Sequence, residues 1–410
     1  MPHYAYVIAG GGAAAAYSAR ELVARGARRG DVALISEESA LPYHRYPLSK
    51  AYITQRVPLD VFLVNRPHFY EDNEIKVWLD TRISSLDTGQ AAIHIEEREP
   101  ITYDNLLIAT GSKPVRFDCE GAQSPRLFYL RNISNAQVIR TKAESAETAV
   151  LIGGGFNGLE LAASLSRMGL KISLVYMENQ LMPFLFTARM HEFFFKLYTD
   201  RGIDMLPLHT VDKFHDTPDG RIEVHLQEGN PLKADFAVAA IGVKPAVDVA
   251  QGTNITIDDG IRVNEFLETG APQVWAAGDV ANYPDLIYGG RRRGEHLQNA
   301  RDQGIAAARN MTGLHQEYRT IPYYFSEFFE YKWEFWGDPS ECDQILHVGD
   351  VEHGTFSTWW TCNDVVHAAF VMGRVDEERT RARICVQEQR EVPHDIRLRG
   401  HIESETHAGT

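Results

Sequence analysis

Two glycine-rich turns hold the residues best suited to chemistry in this 410-residue chain. They read Gly10-Gly11-Gly12-Ala13-Ala14-Ala15 and Gly153-Gly154-Gly155-Phe156-Asn157-Gly158, 143 residues apart. Each follows a short apolar run and opens a helical pattern. In a G-x-G-x-x-G turn the first glycine permits the tight bend and the second lets a pyrophosphate approach the backbone. The third keeps helix close to strand, and the helix N-terminus offers partial positive charge to the phosphates. Gly10, Gly12 and Ala15 fill these places in the first copy, with alanine tolerated at the third. Gly153, Gly155 and Gly158 fill them in the second. Two copies imply two dinucleotides held at once, an arrangement suited to passing electrons between them.

A carboxylate at the end of the strand after such a turn can accept hydrogen bonds from an adenosine ribose. Glu37 stands 22 residues past Ala15, and Glu178 stands 20 past Gly158. Glu178 would also repel a 2′-phosphate, and no arginine lies in 177–183, so NADH is expected over NADPH. A third signal is Val274-Trp275-Ala276-Ala277-Gly278-Asp279, an apolar strand ending in Gly-Asp. An aspartate at the mouth of a Rossmann sheet can bind the ribityl hydroxyls of a flavin.

Elements must position these residues. Tyr4 to Ala9 reads as a strand buried on both faces, with a helix from about Ala13 to Arg25 and a second strand over Val32 to Ser36. The same order recurs: Ala149 to Ile152, the second turn, a helix to about Arg167, then Ile172 to Tyr176. This is an internal duplication of a βαβ unit. Leu106 to Ala109 followed by Thr110-Gly111, and Phe236 to Ala240 followed by Ile241-Gly242, read as strands that return the chain from one domain to the other. Beyond Tyr318 aromatic residues crowd together, and the alternating runs Thr355 to Trp360 and Val365 to Met372 predict an antiparallel sheet. The last 20 or so residues are polar and predict a mobile tail.

Bulk properties exclude several classes. A net charge of −15 argues against nucleic acid as a partner. No apolar run approaches the roughly 20 residues needed to cross a membrane. Cys119, Cys342, Cys362 and Cys385 have neither CxxC spacing nor a metal-ligand pattern with histidine. This pattern predicts a reducing compartment, the cytoplasm, and no metal. Nor does His44 to Lys50, where disulfide reductases place a reactive pair, hold a dithiol.

The two turns, the run Leu41-Pro42-Tyr43-His44-Arg45-Tyr46-Pro47-Leu48-Ser49-Lys50, Ala109-Thr110-Gly111 and Gly278-Asp279 together resemble the two-dinucleotide flavoprotein reductases. That family includes putidaredoxin-type ferredoxin reductases, apoptosis-inducing factor and monodehydroascorbate reductases. Met177 to Met182 with Leu185-Phe186-Thr187, and Ile321 to Ser326 with Trp333 to Pro339, resemble the last of these. The resemblance implies an α/β, glutathione-reductase-like fold with two Rossmann-like domains and a small α+β C-terminal domain. Residues 1–113 and 247–318 would form the FAD domain, 114–246 the NADH domain and 319–410 the C-terminal module.

The resemblance also implies FAD at the first turn and NADH at the second. Glu37, Arg45, Lys50, the backbone of Ile83, Arg131, Asp279 and His296 match flavin-contacting positions. Gly155, Glu160, Glu178 and Glu295 match positions on the nicotinamide side. Lys50 and Glu160 would reach the flavin N5 edge from opposite domains, where a buried lysine and glutamate must pair or lose charge. A lysine beside N5 can stabilise the negative charge of reduced flavin. Phe325 matches the aromatic residue that covers the flavin ring, and Arg293 matches an arginine used toward an acidic substrate. Thr320 stands where the ascorbate-radical enzymes carry a tyrosine.

Three readings of the acceptor follow. One is a small organic radical or quinone anchored by Arg293. The second is a ferredoxin-like or rubredoxin-like carrier docking on Arg291-Arg292-Arg293. The third is a redox-sensing role in which NADH binding changes assembly.

Overall fold

The computed structural model describes residues 1–403. The chain divides into two compact units. The first comprises Met1–Pro47, Val57–Lys113 and Val243–Thr320; the second comprises Leu48–Arg56, Pro114–Gly242 and the residues from Ile321 on.

The first unit is built on a seven-stranded sheet. Its order is Lys76–Trp78, Val32–Ile35, His3–Ala9, Ile101–Ile108, Ala92–Ile95 and Ile83–Asp87, with Val274–Ala276 also paired to Ile101–Ile108. The strands nearest the first turn are parallel and in step: Ala9 lies opposite Ile35 and Ile108, and Ala276 opposite Ile108. Every residue of Val32–Ile35 is buried, which a parallel strand covered on both faces requires. The register brings the residues after Ala9, Ile35, Ile108 and Ala276 to one edge, where α/β sheets bind ligands. The helix Ala13–Ala24 packs through Ala14, Ala15, Ala16 and Ala19, all buried. Its neighbour is the helix Leu297–Met311, where a Cβ on Gly304 would lie 2.3 Å from the Ala14 carbonyl oxygen.

The second unit repeats the plan. Asp204–Leu206, Lys171–Val175, Thr148–Ile152, Phe236–Ala239 and Leu127–Tyr129 form a five-stranded parallel sheet. Val175 and Ala239 both lie opposite Ile152. The same unit holds the antiparallel sheet expected after Tyr318. It has six strands, ordered Tyr323–Phe328, Tyr331–Gly337, Val365–Met372, Thr355–Cys362, Gln344–Asp350 and His401–Glu403.

The expected tail begins too early. Residues His394–Arg399 form a helix and His401–Glu403 pairs with Gln344–Asp350. Ile396 is fully buried, so one apolar side chain anchors a segment whose polarity hid it. The remainder of that tail lies outside the described residues.

Gly304→Ala tests the helix contact. Alanine gains about 1 kcal/mol in helix propensity, but its methyl meets a backbone oxygen that cannot rotate away, and overpacking costs about 1–3 kcal/mol. A lowered thermal midpoint is expected; an unchanged or raised one contradicts the packing described.

Candidate cofactor and redox site

The first turn is shaped by what surrounds it. Gly10 has φ +144°, and a Cβ there would lie 2.0 Å from the Ala109 carbonyl oxygen; one on Gly11 would lie 2.1 Å from Ser36 Oγ. At Gly12 nothing lies within 4 Å of where a Cβ would be. Gly12 is also the N-cap of Ala13–Ala24, and no side chain caps that helix. The helix N-terminus is thus left without a side-chain cap beside a glycine with open surroundings, as a pyrophosphate needs.

Ligating groups surround this space on the same unit. Glu37 is 69% exposed, with Arg82 3.9 Å away. Its neighbour Glu38, which the sequence reading passed over, accepts from the Tyr43 hydroxyl at 2.5 Å and from Arg45 Nη2. Burial opposes the Arg45 charge, but Glu38, Tyr43 and Asp279 more than offset it and raise its pKa. Asp279 accepts from Ser112 Oγ at 2.7 Å, and Gly278 donates its N–H to Gln303 Oε1 at 2.8 Å. Thr110 Oγ1 donates to Ala246 O at 2.7 Å, and the Gly111 carbonyl accepts from Ala246 N. Ile83 opens its strand two residues past Thr81, whose N–H bonds the Ser36 carbonyl at 2.9 Å. His296 is the N-cap of Leu297–Met311.

The arginine run is spent within the unit. Arg291 donates to Asn282 Oδ1 at 3.0 Å and Val263 O at 2.6 Å, and Arg292 to the buried Asp285 at 2.8 Å. Arg293, 13% exposed, pairs with Asp259 at 3.2 Å and with Glu295.

The second unit carries the second turn with the same geometry. Gly153 has φ +116° and its Cβ would meet Ala240 O at 2.3 Å; nothing lies within 4 Å at Gly155. Gly158 differs from Ala15 in need: a Cβ there would stand 1.8 Å from the Gly153 carbonyl oxygen. Helix Phe156–Arg167 also begins without a side-chain cap. Phe156 stacks on Tyr324 at 5.9 Å and Trp333 at 5.7 Å, while Asn157 is exposed. Gly242, φ +102°, follows the strand Phe236–Ala239.

Glu178 is exposed beyond Lys171–Val175. Burial first, then the Glu178 charge, push the buried Tyr176 phenol up to about 12. Arg131 follows Leu127–Tyr129 and donates its N–H to Asn135 Oδ1 at 3.2 Å.

A buried charge pair lies in this unit. Glu160, 6% exposed, accepts from Lys50 Nζ and Ser326 Oγ on Oε1 and from Ser49 Oγ on Oε2. Ser164, one helical turn on, donates to the Ser49 carbonyl at 2.6 Å. Lys50 and Glu160, expected to come from opposite domains, lie in one unit, because the segment Leu48–Arg56 packs with the second unit while the residues flanking it build the first. Phe325 precedes Ser326 on the same strand, opposite Glu334 and 5.8 Å from Tyr323. Ser49 and Ser326 were missed by the sequence reading, since nothing in the spacing of single serines marks them.

Among the described residues no cluster can hold a metal ion, all four cysteines are free, and no helix is long and apolar enough to cross a membrane. Both turns fit a dinucleotide on their own geometry. Glu178→Ala is expected to weaken NADH several-fold and to relax discrimination against NADPH in fluorescence binding titrations. Unchanged affinity for both coenzymes removes Glu178 from the site.

Comparison with known proteins gives the family. Residues 4–304 match the family described as pyridine nucleotide-disulphide oxidoreductase, and 321–400 match the monodehydroascorbate reductase 3-like C-terminal domain. Monodehydroascorbate reductase of Pisum sativum is 32% identical over 400 residues, covering 92% of each chain. The Solanum lycopersicum enzyme is 32% identical, covering 93% of this chain and 94% of its own. Among solved structures, the ferredoxin reductase for the CYP199A2 system of Rhodopseudomonas palustris is 28% identical. It has a TM-score of 0.90 and covers 94% of this chain and 95% of its own. A putidaredoxin reductase–putidaredoxin complex is 25% identical with a TM-score of 0.90, covering 96% and 95%. With two dinucleotide turns and these relatives, the chain belongs to the pyridine nucleotide-disulphide oxidoreductase family as an NADH-dependent FAD oxidoreductase.

Proposed function

We propose that this oxidoreductase passes electrons from NADH through FAD to a small organic one-electron acceptor of the ascorbyl-radical or quinone kind. The observation that carries this reading is the match of residues 321–400 to the monodehydroascorbate reductase 3-like C-terminal domain. That segment bears Phe325 and Ser326.

FAD, when bound, supplies a ring that takes hydride from NADH and can release electrons singly. The chain's own residues do the rest. First-turn amides and Gly12 hold the FAD pyrophosphate, Glu37 its ribose and Asp279, fixed by Ser112, its ribityl chain. Gly155 and Glu178 do the corresponding work for NADH. The Lys50 ammonium, held by Glu160, offsets the negative charge that flavin reduction creates. Phe325, by the position it matches, would cover the ring and keep water away. Arg293 would anchor the acidic acceptor by exchanging its pair with Asp259 or Glu295 for the acceptor's charge.

A carrier protein is the second reading, favoured by the solved putidaredoxin reductase–putidaredoxin complex. An acidic carrier needs a basic face, and Arg291, Arg292 and Arg293 are already bound to Asn282, Asp285, Asp259 and Glu295. A carrier would need several of these pairs opened at once, whereas a small acceptor needs only Arg293 to exchange a partner.

Steady-state NADH oxidation separates the readings. With enzymatically generated monodehydroascorbate, or a benzoquinone, kcat/KM is expected to exceed that with a [2Fe-2S] ferredoxin or a rubredoxin by about 100-fold or more, some 2.7 kcal/mol of transition-state stabilisation. Faster reduction of the iron–sulfur carrier overturns the proposal. Slow turnover with every acceptor, together with a long-lived charge-transfer band, points instead to a redox sensor.

A further inference from the structure

We propose that Ser326 is a positioning residue for the Lys50 ammonium, acting through the Glu160 carboxylate, and that it thereby tunes the flavin. The inference rests on the reading of Lys50 given above.

Three donors from two distant segments converge on one carboxylate. Lys50 and Ser49 lie 110 and 111 residues from Glu160, and Ser326 lies 166 away. Two donors share Oε1, Lys50 Nζ and Ser326 Oγ, so the direction in which that oxygen meets the ammonium depends on both. They differ in rigidity. The lysine ammonium ends a flexible four-carbon stem, whereas a single rotatable bond links the Ser326 hydroxyl to its strand. That strand, Tyr323–Phe328, pairs residue by residue with Tyr331–Gly337, placing Ser326 opposite the buried Trp333. Of the two, Ser326 is the fixed point.

The backbones of the other partners are already held. Ser164 Oγ binds the Ser49 carbonyl at 2.6 Å, which locks the peptide leading into Lys50. Tyr198 Oη donates to the Leu159 carbonyl at 2.9 Å, just before Glu160. Burial, then the Glu160 charge, keep that phenol protonated as a donor by raising its pKa well above the ordinary value. What these contacts leave open is the rotation of the carboxylate about its own bond. Ser49 fixes Oε2, and Ser326 fixes Oε1 independently of the lysine. Ser326 and Glu160 are 3% and 6% exposed, so water is poorly placed to replace a missing donor. Removing the hydroxyl lets carboxylate and ammonium move together, which loosens the charge that meets reduced flavin.

The test uses the FAD-loaded full chain as wild type, Ser326→Ala, Ser326→Thr, Lys50→Met and the Ser326→Ala/Lys50→Met double variant. FAD content, thermal midpoint and flavin midpoint potential are measured by absorbance, thermal melting and spectroelectrochemistry. Ser326→Ala is expected to bind FAD normally and to make flavin reduction about tenfold less favourable, a shift of about −30 mV for a two-electron couple. Ser326→Thr should restore the potential, and adding Ser326→Ala to Lys50→Met should shift it no further. An unchanged potential in Ser326→Ala, with only the thermal midpoint lowered, overturns the inference and leaves a structural serine. An equal shift in the Lys50→Met background also overturns it. Should Ser326→Ala fail to fold, Ser326→Cys, a weaker donor of similar size, is expected to show the same direction of shift, and no shift there counts against the inference. If Lys50→Met itself leaves the potential unaltered, the reading of Lys50 fails as well. If Lys50→Met shifts it and Ser326→Ala does not, only the inference fails.

Discussion

A carbonyl oxygen at the end of one parallel strand leaves no room for a side chain on the turn beside it. The Ala109 oxygen would stand 2.0 Å from a Cβ on Gly10, and the Ala240 oxygen 2.3 Å from one on Gly153. Because those positions are glycine, each turn can lie against the sheet edge and the helix can start directly above the strand ends. At Gly12 and Gly155, the N-caps of the two helices, nothing lies within 4 Å of where a Cβ would be. Helix N-termini that no side chain caps, beside glycines, attract a pyrophosphate. The acids and Asp279 follow from the register, since strands ending together present their next residues together.

The second constraint is electrostatic. A carboxylate as buried as Glu160 costs several kcal/mol unless every lone pair finds a donor. The fold meets this demand by drawing Ser49 and Lys50 into the second unit and adding Ser326 from the antiparallel sheet. The same bonds that make the buried charge tolerable hold the ammonium still. On the proposed role of Lys50, stability and redox tuning share their atoms here.

Much of this was legible in the sequence because the constraints act over a few successive residues. The glycine turns, the strand before each and the acid after each all lie within one βαβ unit. The Lys50–Glu160 pairing came through family resemblance, and the two are in contact. What stayed hidden depends on distant partners. Ser326 meets its acceptor 166 residues away, and a serine in a strand has nothing to distinguish it. Glu37 and Glu38 are chemically identical neighbours; only the fold shows that Glu38 holds Tyr43 and Arg45 while Glu37 is exposed. The arginine run looked like a cationic surface, yet the Arg292 and Arg293 charges are met by Asp285, Asp259 and Glu295, and Arg291 is bound to Asn282 and Val263. The helix His394–Arg399 escaped notice because a single buried isoleucine anchors it.

An anaerobic titration of the purified protein with NADH, followed in the visible flavin band, tests most directly whether the two nucleotides exchange electrons. The account predicts a yellow protein with FAD bound to each chain, bleached by a stoichiometric amount of NADH. A protein that takes up no FAD, or a bound flavin that excess NADH leaves oxidised, would contradict it.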